Sequence, residues 1–160
     1  MTEGNPLINP NVRLLPCIGW REWVMLPSLR LPPIKAKIDT GARSSSLDAF
    51  NICEIEINGV PSIQFNVHPV QRSKSHVAQC VAPIHDIRSV RSSSGQVSTR
   101  FVIVTTVRWK RSEWEVELTL ADRSKMGFRM LLGREALRGR LSVDPGRSFL
   151  GGRIKKRKKL

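Results

Sequence analysis

Short apolar runs alternating with polar residues, punctuated by proline and glycine, set the strongest constraint on what this chain can fold into. Ile34-Lys35-Ala36-Lys37-Ile38 alternates with a period of two, as do Ile52 to Ile57 and Trp114 to Leu120, and that period marks half-buried strands. Phe101 to Val107 is a continuous apolar, β-branched run that reads as a buried strand. Trp20 to Leu26 is a further strand pattern, and Asn58-Gly59 predicts a tight hairpin turn into Val60 to Val67. Met130 to Leu132 runs into Gly133, Arg134 to Leu137 has room for one short helical turn, and Leu141 to Val143 reads as a closing strand. No long amphipathic helix competes, so the pattern predicts an all-β barrel or sandwich. The polar Arg91-Ser92-Ser93-Ser94-Gly95 segment predicts a flexible tip.

The alternating run 34–38 ends in Asp39-Thr40-Gly41-Ala42, a motif that occurs once in 160 residues. An apolar strand entering Asp-Thr-Gly is how aspartic proteases present a catalytic carboxylate. That chemistry needs two carboxylates sharing a proton, one acting as general base for water and the other as general acid for the carbonyl oxygen. A single copy of the motif therefore requires a second chain, and the expectation is a homodimer with Asp39 contributed twice. Gly41 permits close backbone approach beside a paired carboxylate, and Thr40 offers a hydroxyl that can donate across a symmetric interface. Without context, the motif reads first as a turn after a strand, since Asp and Gly are common turn formers.

Context shifts the balance. Leu131-Leu132-Gly133-Arg134 lies about 90 residues downstream of the motif. It resembles the apolar-apolar-Gly-Arg segment that packs against the aspartate loop in retroviral-type aspartic proteases. Ala36 to Ala49, Arg88 to Gly95, Leu120 to Met126, Leu131 to Arg140 and Val143 to Pro145 together resemble the bacterial retropepsin-like aspartic peptidase family, in that order along the chain. Members of that family have been labelled ATP-dependent zinc proteases and are associated with ATP-grasp ligases that add glutamate to proteins or peptides.

The resemblance implies a single-lobed, closed retropepsin barrel with one short C-terminal helix. Asp39 would be catalytic, supported by Thr40, Gly41, Ala42, Leu132, Gly133 and Arg134. Residues 91–95 would form the flap, so that Arg91, Ser92, Ser93, Ser94 and Gly95, together with Arg43, bind substrate. The chain has no tyrosine, which excludes a flap tyrosine. Arg43 stands where viral enzymes commonly carry an acidic residue. The label itself does not fit these residues: there is no His-Glu-x-x-His zinc motif and no Gly-rich loop ending in Gly-Lys-Ser/Thr, so neither a metal nor a nucleotide cofactor is expected.

Charge points to the substrate. The net charge is +14, from 27 basic against 13 acidic residues, and six of the basic residues crowd into the 153–159 tail. A chain this basic attracts anionic partners. Arg88, Arg91, Arg100, Arg123 and Arg134 form either a solvated face with salt bridges to Asp86, Asp122 or Glu135, or a guanidinium-lined cleft that binds carboxylates. Glu113, Glu115 and Glu117 repeat every second residue and predict one exposed strand face. His68, His76, Cys80 and His85 match no structural zinc spacing. Trp20, Trp23, Trp109 and Trp114 are expected in core and dimer packing, with base stacking as the rarer role.

Three cysteines without close spacing, Cys17, Cys53 and Cys80, argue for a reducing compartment. No signal-peptide pattern or membrane-length apolar stretch is visible, so the expected location is the cytoplasm. The predicted organisation is an N-terminal extension over 1–18, a peptidase domain over 19–150 and a basic tail over 151–160. The expected activity is aspartic endopeptidase cleavage of acidic or glutamate-rich peptides, functionally linked to a glutamate ligase. The alternatives are a non-catalytic acidic-peptide-binding dimer, or an RNA- or ribosome-associated basic β-barrel contacting nucleic acid through its tail.

Overall fold

The computed structural model describes residues 14–70, 73–91, 94–122 and 127–153, without the side chains of Val90 and Arg91. The elements follow the alternation. They are β1 (Cys17–Gly19), β2 (Arg21–Val24), a 3-10 turn (Pro27–Leu29), β3 (Ile34–Asp39), β4 (Ser45–Asp48), β5 (Phe50–Ile57), β6 (Val60–Val67) and β7 (Ala78–Pro83). There follow β8 (Asp86–Arg91), β9 (Val97–Trp109), β10 (Ser112–Ala121), β11 (Met130–Gly133), α1 (Arg134–Leu137) and β12 (Ser142–Asp144). Asn58 and Gly59 both take positive φ, 49° and 78°, which is the turn geometry that suits the twist of a two-residue hairpin.

The strands form three sheets rather than a closed barrel. One has seven strands in the order β2-β3-β11-β4-β10-β9-β8, one has three in the order β5-β6-β7, and β1 pairs with β12 in parallel. The seven-stranded sheet ends at β2 and β8, and no ladder joins those two strands. One bridge, Met25 to Arg108, links the chain after β2 to β9. Among the described residues, helical structure is confined to the 3-10 turn and the four residues of α1. The expected retropepsin barrel with one helix is therefore corrected to an open arrangement of mixed sheets. Alternation reports which residues form strands, whereas closure depends on how the first and last strands pair, and no local pattern encodes that.

The core lies on one side of the central strands. Ile34, Ala36 and Ile38 of β3, Leu47 of β4, Leu118 and Leu120 of β10, Ile103 and Val107 of β9, and Met130 and Leu132 of β11 all belong to it. Trp109 and Trp114 are buried there, whereas Trp20 and Trp23 are only half-buried. Glu22 is completely buried. Its carboxylate accepts hydrogen bonds from the backbone amides of Gly19 (2.7 Å), Leu150 (2.9 Å) and Gly151 (2.9 Å) and from the Trp109 indole (3.2 Å), which satisfies a group otherwise costly to bury. This hub fastens the C-terminal segment behind β2. The three cysteines are free, with Cys80 buried and its thiol pushed up to about 11 by burial. Among the described residues no helix is long and apolar enough to cross a membrane.

Candidate active site

β3 alternates buried and half-buried residues, which puts Lys35, Lys37 and Asp39 on the side away from the core. β11 lies between β3 and β4, parallel to the first and antiparallel to the second. The loop leaving Asp39 must therefore cross over the end of β11, where Gly133 stands beside Asp39 in register. Only glycine fits that crossing. A Cβ on Gly133 would approach the Ala42 carbonyl oxygen to 2.9 Å and the Ser44 carbonyl more closely still.

Backbone hydrogen bonds pin the crossing. Arg134 N donates to Ala42 O at 2.7 Å and Glu135 N to Arg43 O at 3.0 Å. Gly133 N donates to Ser45 Oγ at 3.0 Å in a buried position. The Arg134 guanidinium donates to Thr40 O at 2.9 Å. Within the loop, Asp39 Oδ1 accepts from Gly41 N at 3.0 Å and Ala42 N at 3.2 Å. A Cβ on Gly41 would sit 3.3 Å from that oxygen, so glycine leaves the carboxylate uncrowded. Asp39 Oδ2 has no hydrogen-bond donor among the described residues. Thr40, Gly41, Ala42, Leu132, Gly133 and Arg134 thus lie together around Asp39. Leu132 anchors the group in the core with no exposed surface.

An open cleft of about 750 Å³ adjoins this loop, lined in part by Arg43, Ser44, Arg88, Glu115, Glu117 and Glu135. It carries both signs of charge. Arg88 donates to Asp86 at 2.8 Å and to Glu117 at 3.0 Å, and His85 lies 3.1 Å from Glu117. The Arg88 hydrogen bond holds the Glu117 carboxyl below its ordinary value and also lowers Asp86. The same two partners raise Arg88. Arg43 is highly exposed and 4.0 Å from Glu135. A cleft lined only by guanidinium groups is therefore not what these residues build, because Arg88 is compensated by two carboxylates. Glu113, Glu115 and Glu117 do share the exposed side of β10.

The segment expected to form the flap connects β8 to β9. Arg91 pairs with Val97 at its end, and Gly95 turns with φ 85° beside Ser94. Ser92 and Ser93 lie outside the described residues, as does Arg123. The histidines have separate partners for their rings: His68 stacks on Phe50 at 4.5 Å and lies 3.0 Å from the His76 carbonyl oxygen, the His76 ring bonds Ser75, and His85 bonds Glu117. Among the described residues no group of three or more His, Cys, Asp or Glu side chains is placed to hold a metal.

Two features escaped the reading of the sequence. Arg129 and Asp48 form a buried ion pair at 2.8 Å, whose partners are 81 residues apart and carry no local signal. Lys37 shares the face of Asp39, and here the alternation of β3 already contained the signal.

Comparison with known proteins agrees with the motif order. Residues 17–154 match the RimB-like family model, described as retropepsin-like aspartic endopeptidase RimB. A probable alpha-L-glutamate ligase of Shewanella halifaxensis is 44% identical over 135 residues, or 84% of this chain and 30% of that protein. One from Parasynechococcus marenigrum is 47% identical over 128 residues, or 80% of this chain and 28% of that protein. The chain thus spans less than a third of the length of these curated relatives. The crystal structure of Lpg0085 from Legionella pneumophila, a protein of unknown function (DUF785), superposes with a TM-score of 0.70 at 28% identity, covering 85% of this chain and 98% of that one. The family match spans most of the chain, which belongs to the RimB-like family of retropepsin-like aspartic endopeptidases.

Proposed function

We propose that the chain is an aspartic endopeptidase that works as a homodimer, with Asp39 from each copy forming the catalytic dyad, and that it cleaves acidic, glutamate-rich peptides or protein tails. The observation that carries this reading is the state of the Asp39 carboxylate. Oδ1 is fixed by two backbone amides and Oδ2 lacks a donor among the described residues, while each chain supplies one such group. In the dimer the two carboxylates share a proton, because like charges about 3 Å apart cannot both ionise. The ionised member takes a proton from water as it attacks the scissile carbonyl carbon, and the protonated member donates to the carbonyl oxygen. Collapse of the tetrahedral intermediate breaks the C–N bond, with proton return to the leaving amine. Thr40 and Arg134 hold the loop, and the 91–95 segment covers the substrate.

Glutamate-rich substrates follow from two supports. The chain has an excess of cations, and its relatives carry this domain within proteins named glutamate ligases. A hydrolase in that setting would shorten or remove what such a ligase adds. Incubation with oligo-glutamate peptides, followed by counting new amino termini, tests it. Wild type is expected to produce them and Asp39→Asn to produce none. Stoichiometric binding without product would instead leave an acidic-peptide-binding dimer.

A further inference from the structure

Two of the cations expected to bind substrate are already engaged: Arg88 holds two carboxylates and Arg43 lies 4.0 Å from Glu135. Recruiting Arg88 for a substrate carboxylate would mean breaking two charge-assisted hydrogen bonds to make one or two. Another pair of cations carries no such cost. Lys37 is two residues before Asp39 on the same half-buried face of β3, about 7 Å along the strand. Arg21 of β2 stands directly opposite Lys37 in the antiparallel pair, so both side chains leave the same side of the sheet. Continuing across the sheet, the row passes to Leu131 and then Ser46, neither of which is charged. Among the described residues neither Lys37 nor Arg21 makes an ion pair.

Arg21 is also held in place. Its Nε donates to Ser148 Oγ at 3.1 Å, and its guanidinium carbon lies 4.7 Å from the Trp20 ring centroid and 5.0 Å from that of Phe149. These contacts leave its terminal nitrogens with donor capacity and remove the entropy cost of ordering a long side chain at binding. An extended peptide with its scissile carbonyl at Asp39 carries the neighbouring side chain within reach of an ammonium about 7 Å away.

We propose that Lys37, with Arg21 beside it, is the specificity-determining cation pair of this site, binding the side-chain carboxylate of a peptide residue next to the scissile bond. The proposal rests on the peptidase reading above and names the group that selects acidic substrates. The test uses oligo-glutamate peptides in which single residues flanking the cleavage point are changed to glutamine. Both kcat/KM for the wild type and equilibrium binding to the Asp39→Asn protein are measured, each with and without Lys37→Gln. The expected result is a preference for glutamate of roughly 10- to 100-fold at one flanking position. That preference should collapse in Lys37→Gln, persist in Lys37→Arg, and remain at the other positions in both.

An unchanged glutamate-to-glutamine ratio in Lys37→Gln, with cleavage intact, overturns the inference and leaves the peptidase reading standing. Binding that depends on Lys37 in a protein that never cleaves supports the inference and removes the peptidase reading. Absence of both binding and cleavage removes both.

Discussion

The loop around Asp39 and strand β8 line the same cleft but are held differently. The Asp39 loop is fixed through the backbone. Arg134 N, Glu135 N and Gly133 N donate into the 42–45 segment, and Leu132 is rooted in the core. β8 is an edge strand, held by its ladder to β9 and by the Arg88–Glu117 ion pair to β10, which itself pairs with β9 over residues 102–109. The Gly133 amide is satisfied at a buried position and is costly to displace, whereas half-exposed ion pairs contribute little and respond to salt and pH. The contrast suits the proposed peptidase, which needs a carboxylate that stays in place.

Substitutions test this contrast, beginning with the largest effect. Asp39→Asn should lower kcat by roughly 10²–10⁴-fold, the range for removing a general acid or base. Its thermal midpoint should stay near that of the wild type, because asparagine keeps an oxygen for the Gly41 and Ala42 amides. A large fall in stability with equal loss of activity would make Asp39 a structural turn residue.

Gly133→Ala forces a Cβ against the Ser44 and Ala42 carbonyls. It should destabilise the fold by about 1–3 kcal/mol, the usual cost of overpacking, as read from denaturant unfolding. A neutral result would show that the crossing is looser than its hydrogen bonds imply.

On β10, opposite Arg88 of the hairpin, Glu117→Gln should cost no more than about 1 kcal/mol, as befits a half-exposed pair, but it should speed amide exchange along β8. The pH dependence follows with a defined sign. Glu117 and Asp86 are both lowered from ordinary values of 4.5 and 3.8. Their contribution is complete above those values and is lost as pH falls through the lowered ones. Hydrogen exchange in β8 and β9 should therefore rise relative to the Asp39 loop on acidification below about pH 4, and Glu117→Gln should flatten that rise. Equal protection in both regions across this window would erase the contrast.

The same contrast explains what the sequence could disclose. β3 was legible because Ile34, Ala36 and Ile38 alternate with lysines, and the hairpin after β5 because Asn58-Gly59 prescribes its own turn. The Asp39 loop stood out because its constraints are local residue types at fixed spacing. β4 was not legible, since Ser44-Ser45-Ser46 reads as a loop until Ser45 is seen accepting the Gly133 amide. The Asp86 partner of Arg88 was among the expected ones, but its second partner Glu117, which arrives from another strand 29 residues away, was not. The open arrangement of the sheets was hidden for the same reason: closure is a property of distant edges. Lys37 was legible as a position on the Asp39 face, and its lack of an ion pair among the described residues became visible only with its neighbours in view.

The central claim is that one chain carries half of an active site. It is tested most directly by mixing wild type with Asp39→Asn protein at constant total concentration, allowing subunits to exchange, and following oligo-glutamate hydrolysis. If the dyad is shared between two copies, activity should fall as the square of the wild-type fraction, because mixed dimers are inactive. Activity that stays proportional to the amount of wild type would show that each chain works alone.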